Sequence, residues 1–391
     1  NLGGLSHQRI LFLALLLPLL LFERREPSFS KFNAIDKAVV FYVFWVIVCN
    51  FRIENYTAMF RTDLWEVIDV FVPYLAIRYF TKNYALVLTA VSFALLSQSL
   101  AGIVESVMHW HLYSDLERFG HFANQLHPGY KFRNGFLRAQ TSFMNPLIYA
   151  LFSNMSFCCS VIFLSKIGSI AKENYSKKFA WAGFLISTLG TMASGSRAGM
   201  AGSVLIVIVS MILLWAIKRS RDPKQLLITS FVCCIALVVL FGQDFLNENF
   251  DYRMRLLKIG SGVVMDSPLF GHMDARSHPA MQELIQGEGI VDVVNSYLAI
   301  ALSYGLPALI LFVFAVLSCL SKLYDCLRLG NDDLLAFGIF AFASIFILAF
   351  NLITTSASHW TGQWMWIALA IGSNIIARAK DEEPLTIAKR Q

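Results

Sequence analysis

Three arginines stand in settings suited to an oxyanion. Arg197 sits in Ser194-Gly-Ser-Arg-Ala-Gly199, where Gly195 and Gly199 allow a close turn and Ser194 and Ser196 add hydroxyl donors. Its guanidinium is a rigid fork of donors matched to phosphate oxygens. Arg138 lies in Phe136-Leu-Arg-Ala-Gln140 and Arg255 in Arg253-Met-Arg-Leu-Leu257. Together such groups could hold a pyrophosphate by charge-assisted bonds and stabilise it as a leaving group. The plainer alternatives are that Arg197 snorkels to lipid headgroups and that Arg138 and Arg255 form surface ion pairs.

Carboxylates supply the candidate bases. Glu105, in Val104-Glu-Ser-Val-Met-His109, closes an apolar run, so burial would raise its pKa or demand a partner such as an arginine. Glu288 and Asp292 precede Asn295-Ser-Tyr-Leu298, a segment read as a short amphipathic helix, and Asp292 could equally serve that helix's positive end. Asp115 and Glu117, with His109, His111, His121 and His127 nearby, have no tight ligand spacing, so no metal centre is expected.

The elements that must position these residues are membrane helices. Of 391 residues 57% are hydrophobic and 15% charged, which excludes a soluble domain of this length. Apolar runs near 8–22, 36–51, 64–80, 84–108, 142–165, 179–193, 200–217, 226–242, 306–320, 334–352 and 361–377 approach the roughly 20 residues that cross a bilayer as helix. The expected fold is all-α, one integral membrane domain over 1–391 with 11–12 transmembrane helices. The twelfth would be a helix preceding Asn1, since counting the spans back places Asn1 outside.

Lys172, Lys177, Lys178, Lys218, Arg219, Arg221, Lys224, Lys322, Arg328 and the 378–391 tail fall on alternate connections and mark the cytoplasmic side. The opposite face then receives 109–141, the Ser194–Gly199 turn and 243–305, so all three arginines share it. The 243–305 connection is the long polar segment between two apolar blocks. Cysteines 49, 158, 159, 233, 234, 319 and 326 lie in or beside apolar runs, so no disulfide framework is expected, and the net charge of +6 implies no nucleic acid.

In order and spacing these motifs resemble those of the O-antigen ligase and O-antigen polymerase superfamily. Ser194-Gly-Ser-Arg-Ala-Gly199 is similar to the family's G-S-R-G turn. Arg255 with Asp266-Ser-Pro-Leu-Phe-Gly271 resembles its R…(D/N)-P-L-x-G segment, and Asn295-Ser-Tyr-Leu298 with Tyr304-Gly-Leu-Pro-Ala308 its H-N-x-Y-L…x-G-L-x-G element. Leu137-Arg-Ala-Gln-Thr-Ser-Phe-Met-Asn-Pro146 is similar to the arginine segment of exopolysaccharide-type members.

The resemblance implies a glycosyltransferase of the GT-C membrane type, acting on polyprenyl-pyrophosphate-linked glycans at the periplasmic face of a bacterial inner membrane. It implies Arg138, Arg197, Arg255 and Ser196 as pyrophosphate ligands, no metal or other cofactor, and a flippase and a chain-length regulator as partners. Where ligases carry a histidine before the asparagine, this chain has Val294. That departure favours a repeat-unit polymerase over transfer to lipid A core, and leaves Asp292, Glu288, Glu105 and His278 as candidate bases. A small-anion transporter and a scaffold without chemistry are the rival classes, though the charges cluster at one face and no inverted repeat is evident.

Overall fold

The computed structural model describes residues 9, 12–18, 32–111, 132–133, 135–143, 145–165, 177–219, 247–285, 291–327, 332–353, 355 and 359–388. The expected span 226–242, part of 8–22, the acidic and histidine cluster beyond His111, and Glu288 lie outside them. The protein is an all-α polytopic membrane protein. Among the described residues Tyr84–Met108, Pro146–Leu164, Ser296–Leu327 and Leu334–Leu352 are long and apolar enough to cross a membrane. A two-stranded antiparallel ribbon pairs Phe132 with Leu137 and Arg133 with Phe136.

The chain divides into two compact units. The first comprises Asn1–Thr81, Leu237–Cys326 and Leu352–Gln391; the second comprises Lys82–Ala236 and Leu327–Asn351.

In the first unit Asp36 ties three helices together. Within Ala34–Asn50 it closes a capping box with Asn33. It also accepts from Tyr74 Oη at 2.7 Å, Arg78 Nε at 3.2 Å and Ser373 Oγ at 2.6 Å. A buried carboxylate is tolerable only with such a set of donors.

The described parts of the polar 243–305 connection, 247–285 and 291–305, are folded. Asn247–Asp266 is a helix whose Tyr252, Leu256 and Val263 recur on one face and pack with Leu298, Ala301 and Leu302, while Arg255, Lys258 and Asp266 are exposed. Each large apolar side chain buried there contributes about 1.5–3 kcal/mol. The long helix Ser296–Leu327 starts ten residues before the expected span, because Asn295 caps it by accepting the Leu298 N–H at 3.0 Å. Both Asn295-Ser-Tyr-Leu298 and Tyr304-Gly-Leu-Pro-Ala308 therefore stand at the entrance of one long helix. It breaks at Gly305, with φ 78° and ψ 178°.

That break receives the Asp266–Gly271 turn. Leu306 N donates to Pro268 O at 2.7 Å and His272 N to Leu302 O at 2.6 Å. A Cβ on Gly305 would meet Leu269 O at 2.0 Å, and one on Gly271, at φ +67°, would meet Leu302 O at 2.6 Å. Arg52 staples the joint by donating to Gly271 O at 2.6 Å, Ser303 O at 3.2 Å and Cys49 O at 2.7 Å. The two motifs thus form a main-chain lock.

The second unit packs Tyr84–Met108, Pro146–Leu164 and Lys177–Ala193 through small and hydroxyl residues, the usual way membrane helices approach closely. Gly102 lies against Tyr149 and Gly190 against Ser99, while Ser187 Oγ donates to Ser156 Oγ at 2.8 Å. Asn154, buried among them, accepts from Thr191 Oγ1 at 3.2 Å and Ser203 Oγ at 2.5 Å. Its Nδ2 donates to Gly199 O at 2.9 Å, which fixes the start of the Arg197–Arg219 helix.

Candidate functional site

The second unit gathers Arg138, Ser196 and Arg197 around the Ser194–Gly195 turn. Ser194 and Ser196 are buried and build it: Ser194 Oγ accepts the Ser196 N–H, and Ser196 Oγ accepts the Gly199 N–H, both at 3.0 Å. Ser196 is therefore the N-cap of the helix that Arg197 begins, a role its hydroxyl fills ahead of the expected phosphate contact. Arg197 is exposed at that helix's first position, where the macrodipole is positive.

Arg138 crosses the turn and donates from Nε to Ser194 O at 3.0 Å. The left-handed Gly195, φ +58°, lets it approach: a Cβ there would lie 3.2 Å from Arg138 Cγ. Arg133 donates to Gly195 O at 2.5 Å. Burial first, and then the like charge of Arg133, pull the Arg138 pKa below its ordinary value. The guanidinium stays charged, so an anion beside it would relieve both penalties.

Glu105 holds the segment that carries Arg138. Only 2% exposed, it accepts the Gln140 and Thr141 main-chain N–H groups on Oε2 at 3.1 and 2.9 Å, with His111 Nδ1 at 3.5 Å. Thr141 has φ +46°, a costly setting for a β-branched residue that this double contact sustains. Ser106 Oγ donating to Leu137 O at 2.8 Å and Ala139 N to Ala193 O at 2.9 Å complete the anchorage. Where the sequence suggested an arginine partner, Glu105 meets main-chain amides.

The first unit carries Arg255, Asp292 and His278. Arg255 is exposed on the Asn247–Asp266 helix. Asp292 is half-buried; its carbonyl accepts from Tyr252 Oη at 2.8 Å, and its carboxylate supports the charge of Arg253, whose pKa burial otherwise lowers. His278 Nδ1 accepts the Ala280 N–H at 3.3 Å, and Nε2 lies 3.6 Å from Asp266 Oδ2. Nδ1 thereby caps the Pro279–Gln282 turn. Val294, at the position of the ligase histidine, packs against the apolar cluster of this unit.

Residues 182–313, running from the helix before the arginine turn to beyond the Gly305 lock, match the family model described as O-antigen ligase. Over these residues the chain is similar to the O-antigen ligase family. The match supports the O-antigen ligase and polymerase superfamily, whose members are glycosyltransferase-like enzymes, and activity of that general type. No curated protein matches the sequence. The matched segment includes Arg197, Arg255 and Asp292 but not Arg138 or Glu105, which the helix packing adds. Sequence reasoning missed Arg133, Asn154 and Arg52. The first had a signal, a second arginine five residues before Arg138 across a Gly-containing turn; Asn154 had another, an amide inside an apolar run.

Proposed function

We propose that the protein polymerises polyprenyl-pyrophosphate-linked oligosaccharide repeat units, as a GT-C-type transferase on the periplasmic face of a bacterial inner membrane. The observation that carries this reading is the half-buried Arg138, flanked by Arg133 and by the helix start at Arg197. Such a cluster suits a pyrophosphate, and stabilising it as it departs is work a metal would otherwise do.

In the reaction an acceptor hydroxyl oxygen attacks the anomeric carbon of the lipid-linked glycan. The bond from that carbon to the phosphate oxygen breaks, and the pyrophosphate leaves with its electrons. The acceptor hydroxyl gives up its proton to a base as it attacks. Val294 supports polymerase over ligase, because an apolar side chain packed in a core supplies no base at that position.

The test mixes purified protein with lipid-linked bacterial oligosaccharide in EDTA and resolves the products by size. A ladder of longer glycans is expected, and it should disappear in Arg138→Ala and Arg197→Ala. A single transfer to added lipid A core would return the ligase reading, and a full ladder from both variants would remove the arginines' role.

A further inference from the structure

The first unit holds a half-open cavity of about 300 Å³, at the lower end of the range for small-molecule sites. Gln363, from the His359–Ala388 helix, lines it; the residue is 3% exposed, and neither its amide nitrogen nor its amide oxygen has a hydrogen-bond partner among the described residues. Leaving a donor and an acceptor unmet in a buried site is costly unless a ligand meets both. Glu66 adds a carboxylate, within hydrogen-bonding reach of the Tyr304 phenol. On the apolar side Trp366 forms the wall, its ring 4.8 Å from Tyr42 and 5.5 Å from Phe312.

Two helix distortions shape this space. Val67–Phe71 is a π-helical turn that places Asp69 and Val70 on the cavity, and such turns are frequent at functional sites. The Gly305 break follows directly after Ser303 and Tyr304, which also line it. Asp69 is already neutralised by Arg9, whose Nη2 lies 2.7 Å from Oδ2. The lining is thus an amide offering a donor and an acceptor, a carboxylate, hydroxyls and an aromatic face, with Arg276 at the same cavity. A lipid tail would leave the amide unmet, and a phosphate would face Glu66.

We propose that this cavity is a saccharide subsite that holds one sugar ring of the glycan, with Gln363 paired to neighbouring hydroxyls, Glu66 accepting from another and Trp366 behind the ring's apolar face. It rests on the transferase reading only for the source of the sugar. Ser296, four residues after Asp292, lines it too, so that candidate base and the subsite share one chain segment.

The test uses full-length protein in lipid nanodiscs. The probe is the oligosaccharide pool released by mild acid from bacterial polyprenyl-linked glycans, with binding read by native mass spectrometry. Saturable binding is expected, weakened at least about tenfold in Gln363→Leu, while that variant's ligand-free melting temperature equals or exceeds the wild type because a buried unmet amide is gone. Gln363→Met serves if the leucine variant fails to insert. No saccharide bound by wild type, equal binding by the variant, or displacement by sugar-free polyprenyl pyrophosphate would each overturn the assignment. Saccharide binding without any glycan ladder would keep the subsite and remove the polymerase, whereas a ladder insensitive to Gln363 would do the reverse.

Discussion

Glu105 and Ser196 show how a polar residue beside a candidate site can act by placing others. Glu105→Gln keeps the shape and lowers the strength of two contacts from charged to neutral hydrogen bonds, a difference of roughly 1–2 kcal/mol. The expected outcome is a lower melting temperature with partial loss of transfer, as the Arg138 segment loosens. A general base would behave otherwise, losing about 10²–10⁴ in rate at unchanged stability, so melting and turnover measured together decide the role. For Ser196 the cap predicts a loss of about 0.5–2 kcal/mol in Ser196→Ala and only a few tenths in Ser196→Gly. Equal stability of the two variants would mean that the hydroxyl is not the cap.

Between elements, the family-like glycines are explained by the lock. Gly305→Ala would drive a methyl into the Leu269 carbonyl at a left-handed φ, and Gly271→Ala into that of Leu302. Neither obstacle is a side chain that can swing away, so both variants should lose well over about 1 kcal/mol and yield less folded protein in detergent. Gly262→Ala is the control: it sits inside the Asn247–Asp266 helix with nothing within 4 Å of the added carbon and should gain about 0.5–1 kcal/mol. A neutral Gly305→Ala would sink the lock.

The helices and the arginine turn were legible because apolar length and a Gly-Ser-Arg pattern are local signals. The lock was not, since its two halves are separated by some thirty residues and meet only through main-chain atoms that no side-chain pattern reports. Gln363 was equally hidden: nothing local distinguishes an unmet buried amide from one that has found its partner.

Across the whole molecule the sidedness of the membrane decides whether the arginine turn can meet a lipid-linked glycan after its export. Lys177 and Lys258 are both exposed, and they bracket the Lys177–Ala193 and Arg197–Arg219 helices together with the expected span 226–242. Three crossings put the two lysines on opposite sides; two would put them on the same side. The positive-inside rule predicts the basic cluster around Lys177 in the cytoplasm, and with it Lys258 facing outward. Cys49, Cys158, Cys159, Cys319 and Cys326 are buried, with no disulfide among the described residues, so they should add little background to labelling. With Cys233 and Cys234 replaced by serine, an impermeant maleimide should label Lys258→Cys in intact spheroplasts and Lys177→Cys only after permeabilisation. Labelling of both from outside would remove the 226–242 span, and the reverse pattern would place the arginine turn in the cytoplasm, where the proposed polymerase could not meet its exported substrate.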